Sequence, residues 1–354
     1  MAISSTSYPK KWKSGKTTVI RVPEKLAGVV IEIARRLDVD DSGVLREETI
    51  SNLFPSLETT LPRTNVSYKA AHPVNVASVP QRSPFRYPGG KTWLVPYLRD
   101  WLGHQKPKPS RLIEPFAGGG IASLTAGFES LVRHVIFSEL DENVAAVWQV
   151  VLNGQADWLA GRILDFEITV ENVRPFLDKE PKNLRDRAFQ TILRNRVQRG
   201  GILAPGAGLV KTGENGRGIK SRWYPETLAR RIRDINAIKD RFTFIHGDAI
   251  ELIEEHREDK SAVFYVDPPY TLAAKRLYPE WQVNHERLFS LMARVKGDFL
   301  MSYDQTSEIL ELARRHGFQT RGVSMKNTHH AKMQELLIGR DLSWMEQRGF
   351  AVGS

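Results

Sequence analysis

"RLIEPFAGGGIASL", residues 111–124, runs from a strand pattern through three consecutive glycines into an apolar helical pattern. Gly118, Gly119 and Gly120 let the backbone turn tightly and come close to a ligand. A helix starting at that turn points N–H groups at an anionic or polar group. Strand, glycine turn and helix together form one step of an α/β sheet. The same step repeats outward from it. "HVIFSELD" (134–141), "RFTFIHGDA" (241–249), "SAVFYVDPPY" (261–270) and "GDFLMSYD" (297–304) read as further strands with helical stretches between them. The alternation predicts an open, mostly parallel α/β sheet from residue 83 onward. Residues 151–235, rich in Arg and Gly, interrupt the pattern and read as an inserted helical domain.

The N-terminal part reads differently. Residues 1–54 contain a strand "KTTVIRVP", a helix "PEKLAGVVIEIARRLD" and a second helix "DSGVLREETISNLF". This strand–helix–helix order resembles the ribbon-helix-helix DNA-binding fold, in which two chains pair their strands. It is equally read as an accessory segment packed on the main body. Residues 55–82 have four prolines in 55–80 and no period, and read as a linker. The remaining expected parts are 83–150 and 236–346, the two halves of one α/β domain.

Composition narrows the chemistry. There are 354 residues, 41% of them hydrophobic, and no apolar run long enough to span a membrane. No apolar stretch follows the basic N-terminus as in a signal peptide, so a cytoplasmic, nucleoid-associated protein is expected. With no cysteine, disulfides, zinc–thiolate sites and a thiolate nucleophile are excluded. The net charge of +10 favours a polyanionic partner such as nucleic acid.

The predicted sheet lines its ligand edge with acids. Glu114 ends the first strand, and Glu139, twenty-one residues after Gly118, ends the second. An acid so placed can accept hydrogen bonds from ribose hydroxyls. Asp248, after the third strand, can meet an adenine amino group. An acid-lined pocket without the G-x-G-x-x-G spacing suits a cationic ligand better than a pyrophosphate. S-adenosylmethionine, a sulfonium cation joined to adenosine, fits those residue types.

Asp267-Pro268-Pro269-Tyr270 then follows a strand at the same edge. Proline cannot donate to a ladder, so the strand ends in a stiff turn. Asp267 and the Pro268 carbonyl can accept from an exocyclic amino group and stabilise the charge that develops as it attacks a methyl. Tyr270 can stack on a base flipped out of a duplex. Methylation of cytosine at carbon 5 needs a thiolate that this chain lacks, so the target is an amino nitrogen of adenine or cytosine.

These motifs together resemble the Dam-type adenine-N6 DNA methyltransferase family over about residues 83–340. The resemblance rests on "FRYPGGK" (85–91), "EPFAGGG" (114–120), "SELDENVAAVW" (138–148), "ILRNRVQRGG" (192–201), "DPPY" (267–270), "SYD" (302–304) and "KMQELLIGR" (332–340). It implies a Rossmann-like S-adenosylmethionine-dependent methyltransferase fold whose insert, 151–235, recognises the target. It places Tyr87, Gly89, Gly90 and Lys91 near the methionine end of the cofactor. Glu114, Phe116, Ala117 and the three glycines line the cofactor, and Glu139 holds the ribose. Glu139 stands where Asp is commoner in that family.

Arg194, Arg196, Arg199, Lys211, Arg217, Lys220 and Arg222 cluster in the insert beside Trp223 and Tyr224. With Asn195 of the Asn-Arg motif they are expected to contact double-stranded DNA. His329 and His330 have no third ligand at helical spacing, so no metal is expected. Further expected partners are a second copy joined through the N-terminal unit and a cognate restriction endonuclease. The alternatives are an N4-cytosine or RNA adenine methyltransferase, or a DNA-binding regulator with a silent methyltransferase body.

Overall fold

The computed structural model describes residues 79–86, 91–203, 207–269, 283–326 and 332–348. The N-terminal unit and most of the linker lie outside the described residues, as do Tyr87, Gly89, Gly90, Tyr270, His329 and His330.

Seven strands form one sheet: β1 (Arg111–Glu114), β2 (His134–Glu139), β3 (Phe242–His246), β4 (Ala262–Val266), β5 (Asp298–Asp304), β6 (Gln319–Lys326) and β7 (Lys332–Gly339). Their order across the sheet is β3-β2-β1-β4-β5-β7-β6. The first five are parallel to their neighbours. β7 runs antiparallel between β5 and β6. This is the expected Rossmann-like α/β architecture. The antiparallel hairpin at one edge departs from a wholly parallel sheet.

Strand alternation builds two cores, because successive side chains point to opposite faces. Leu112, Val263 and Tyr265 face one core, whereas Ile113, Phe264 and Val266 face the other. β4 is buried along its whole length, as a central strand covered on both faces must be. Helices α1 (Val95–His104), α2 (Ile121–Phe128) and α3 (Glu142–Leu152) cover the first face. Helices α8 (Ala249–His256), α9 (His285–Arg294) and α10 (Ser307–Arg315) cover the second.

The stretch 151–235 folds as α4 (Ala156–Asp165), α5 (Val170–Leu177), α6 (Leu184–Val197) and α7 (Pro225–Ala237). Leu159, Val173, Phe189 and Ile232 from these helices join Trp101, Phe137 and Trp148 in the first core. The apolar stripes of these helices pack into the core of the sheet domain.

Helix starts follow their caps. Asp141, Thr169, Asn183, Asp248, Asn284 and Thr306 each accept from a backbone N–H of the helix they open. The strand order positions the site. From β1 the chain steps outward to β2 and β3 on one side, and β4 and β5 lie on the other. The loops after β1 and β4 therefore leave in opposite directions and open a crevice at the strands' carboxyl ends.

Candidate active site

The loop after β1 forms the first wall. Gly118 and Gly120 have φ of 48° and 62°, a backbone region that side chains with a Cβ rarely adopt. A Cβ on Gly120 would also lie 3.0 Å from the Trp148 ring. Trp148 Nε1 donates to the Gly118 carbonyl at 3.0 Å, and Ser83 Oγ donates to that of Gly119 at 2.6 Å. The turn is thus held from two sides. Ala117 is buried behind it, and Phe116 packs partly buried against the second core.

Glu139 ends β2 beside this turn. Its Oε2 accepts from Gly118 N, and its Oε1 accepts from Leu140 N and Asp141 N, each at 2.9 Å. Burial pushes the carboxyl up to about 7, against the pull of the Asp141 and Gly118 amides. Two carboxylate oxygens offer about four acceptor positions, so the three amides do not exhaust them. Asp248 caps α8, with Oδ1 accepting from Ile250 N at 2.7 Å and Glu251 N at 3.2 Å.

Glu114 was expected to line the crevice, and its surroundings place it underneath. It is only 2% exposed and accepts from Ser123 N at 2.7 Å in the first turn of α2. Burial pushes its carboxyl up to about 8. The helix amides expected to point at a ligand thus include one that meets an internal acid.

The second wall is the Asp-Pro-Pro turn after β4. Asp267 Oδ1 accepts from Ser302 Oγ of β5 at 2.7 Å and lies 3.2 Å from Lys91 Nζ. Ser302 Oγ is also 2.8 Å from the Tyr265 hydroxyl. Lys91 Nζ makes a second ion pair, 3.3 Å long, with Glu335 Oε2 of β7. Burial pulls the Lys91 ammonium down, but Asp267 and Glu335 outweigh it and leave it above its ordinary value. Burial pushes Asp304 up as well, with Lys91 pulling against it. Pro268 is buried and Pro269 half-buried, which fixes the turn that carries Asp267. The arrangement is a held, hydrogen-bonded carboxylate beside a glycine turn. It can accept from an amino group and place a small electrophile opposite.

Residues 87–327 match the model of the D12 class N6 adenine-specific DNA methyltransferases. The chain belongs to that family. It is an adenine-directed DNA methyltransferase, as the sequence motifs implied. No curated protein matches the chain. Solved structures similar to this D12-class chain include the rRNA methyltransferase aviRa from Streptomyces viridochromogenes. It is 14% identical, with 74% of this chain and 89% of that one covered and a TM-score of 0.33. The precorrin-6y C5,15-methyltransferase from Geobacter metallireducens is 9% identical, with 70% and 85% covered and a TM-score of 0.31. The METTL16 methyltransferase domain is 9% identical, with 70% and 66% covered and a TM-score of 0.34.

The basic residues of this D12-class chain divide into two groups. Arg199, Lys211, Arg217 and Lys220 are exposed, and Arg222 is half-buried. Of the residues expected to meet DNA, Asn195 and Arg196 are buried and Arg194 is half-buried. Asn195 is 0% exposed. It accepts from Arg86 N at 2.8 Å and donates to Arg86 O at 2.8 Å and Gly201 O at 2.9 Å. Arg196, 6% exposed, donates to Pro84 O, and Arg194 donates to Leu177 O at 2.9 Å. Gly201 belongs to the same clamp, since a Cβ there would lie 2.4 Å from Arg86 O. The Asn-Arg segment therefore fastens residues 84–86, which lead into "YPGGK".

Sequence reading passed over Glu335 and Tyr265. A glutamate followed by the buried Leu336, Leu337 and Ile338 was the available signal, because a charge in an apolar strand needs a partner. Among the described residues, no group of three or more His, Asp or Glu side chains is arranged to hold a metal ion. Among them also, no helix is long and apolar enough to cross a membrane.

Proposed function

We propose that this adenine DNA methyltransferase binds S-adenosylmethionine along the carboxyl edge of β1 and β2 and methylates a flipped-out adenine of double-stranded DNA at N6. One observation supports the reading above the others. Asp267 is held by Lys91 and Ser302 next to the positive-φ turn at Gly118–Gly120, at the switch point of the sheet.

The residues present fit the cofactor. Gly118 and Gly120 remove side chains from the turn, Glu139 retains acceptor capacity for ribose hydroxyls, and the surrounding carboxyls favour a cation. When bound, S-adenosylmethionine supplies an electrophilic methyl on a sulfonium. Asp267 and the Pro268 carbonyl accept from the adenine amino group, which draws the nitrogen lone pair out of the ring and toward the methyl. On transfer the neutral thioether would be the leaving group, and the residues that act are those that hold the amino nitrogen. The displaced amino proton passes to Asp267 and then to solvent. Tyr270 is assigned to stacking on the flipped base. Arg199, Lys211, Lys220 and Arg222 are assigned to the phosphate backbone, whose contacts position the duplex without reading sequence.

Titration calorimetry tests the cofactor half of the proposal. Wild-type protein is expected to bind S-adenosylmethionine. Glu139→Ala is expected to weaken that binding roughly 10- to 100-fold, the loss of charge-assisted hydrogen bonds of about 1.5–3 kcal/mol. An affinity unchanged by the substitution would remove Glu139 from the cofactor site.

A further inference from the structure

Lys91 and Glu335 are 244 residues apart in sequence and meet beneath the catalytic turn. Glu335 is 3% exposed and sits on the strand next to β5, with Leu336, Leu337 and Ile338 following it. Burying a carboxylate there is costly unless a cation and good geometry offset the lost hydration. Lys91, itself buried, is that cation. Its Nζ lies between two carboxylates, 3.2 Å from Asp267 Oδ1 and 3.3 Å from Glu335 Oε2.

A lysine ammonium is a compact charge on a flexible stem and is poorly fixed by a single partner. A second carboxylate leaves it less freedom. Two roles are compatible with that placement: a proton relay from Asp267 through Lys91 to Glu335, or a strut. The geometry favours the strut: the ammonium is within ion-pair distance of both carboxylates, and Ser302 Oγ holds the same Asp267 oxygen at 2.7 Å.

We infer that Glu335 is a positioning residue for methyl transfer, anchoring the Lys91 ammonium against Asp267 Oδ1 so that the Asp267 carboxyl is held in place as the acceptor. The inference rests on Asp267 being the acceptor for the adenine amino group, as proposed above. Glu335 touches no reacting atom in this scheme. It acts on the reaction through Lys91. Ser302, supported by Tyr265, holds the same Asp267 oxygen from the β5 side. The carboxylate is therefore steadied from two strands, β5 directly and β7 through the lysine.

The test is steady-state methyl transfer to DNA by the full chain carrying Glu335→Gln, Lys91→Met, or both. Glu335→Gln is expected to lower kcat roughly 10-fold or more, in the range seen when a supporting residue behind an active group is removed. KM for DNA and for S-adenosylmethionine should stay near the wild-type values. Glu335→Asp, which keeps the charge, should recover part of the loss. In the Lys91→Met background, Glu335→Gln should cost nothing further, because the ammonium it anchors has gone. If the single Gln variant does not melt cooperatively, Lys91→Met against the double variant still decides. Equal kcat values support the strut, and a further drop overturns it. An unchanged kcat in Glu335→Gln also overturns it. A wild-type chain that forms no N6-methyladenine sinks the parent reading and this one together. A wild type that methylates while the Glu335 variants behave independently of Lys91 sinks this one alone.

Discussion

Replacing Asp267 by Ala is expected to lower kcat at least 10²- to 10³-fold, the order lost when one preorganised group that stabilises developing charge is removed (about 2.7–4 kcal/mol). The attacking nitrogen is an aniline-like amine whose lone pair is delocalised into the purine. It becomes nucleophilic only as its hydrogens are drawn toward acceptors, and that interaction strengthens as positive charge grows on nitrogen. Asp267 therefore acts mostly in the transition state, so kcat and kcat/KM should fall together while KM changes little. The structure explains why the acceptor is well placed. Ser302 and Lys91 hold its Oδ1 at 2.7 and 3.2 Å, and the Pro-Pro turn fixes its backbone. Asp267→Asn tests the charge separately from the shape and should retain part of the rate. Single-turnover kinetics with saturating DNA and cofactor measure the effect directly. A turnover preserved in Asp267→Ala would contradict the assignment.

Asn195→Ala is expected to lower global stability by roughly 2–4 kcal/mol, read as a shift in the urea midpoint at constant slope. Its side chain accepts from Arg86 N and donates to Arg86 O and Gly201 O, and it is fully buried. Truncation takes this partner from the buried Gly201 carbonyl and from the part-buried Arg86 amide and carbonyl, and a buried group left so costs about 1–3 kcal/mol. The same change should leave the salt dependence of DNA binding as it is, because Asn195 reaches no phosphate. A stable variant with a reduced salt slope would instead restore the DNA contact that the sequence suggested. The pair of measurements separates a clamp from a nucleic-acid contact.

The contrast between these two residues shows what the sequence revealed and what it hid. Asp267 was legible because chemistry and local geometry coincide in four adjacent residues: a strand, a carboxylate and two prolines that stop the ladder. The glycine turn was legible for the same reason, and Gly118 and Gly120 do adopt positive φ. The parallel strands followed from their alternation with helices. The orientation of charge did not follow from composition. Arg194, Asn195 and Arg196 were grouped with surface lysines because they are close in sequence and basic or polar. Yet Phe189, Ile192, Leu193 and Val197 mark the buried stripe of α6, and Arg196 falls on it seven residues after Phe189. Helical spacing, and not its charge, decides which way it faces. Glu114 is the last residue of β1, and only the packing of α2 over β1 shows that it accepts from Ser123 N. The Lys91–Glu335 pair was hidden because it depends on β7 inserting between β5 and β6. No local pattern specifies that crossover.

Methyl transfer to the N6 of adenine in DNA can be read from its product. The most direct measurement is to incubate the purified full chain with unmethylated duplex DNA and methyl-labelled S-adenosylmethionine, digest to nucleosides and separate the products. The account predicts label in N6-methyladenine, abolished in Asp267→Ala. Label in N4-methylcytosine, or label only when RNA is supplied, would contradict it.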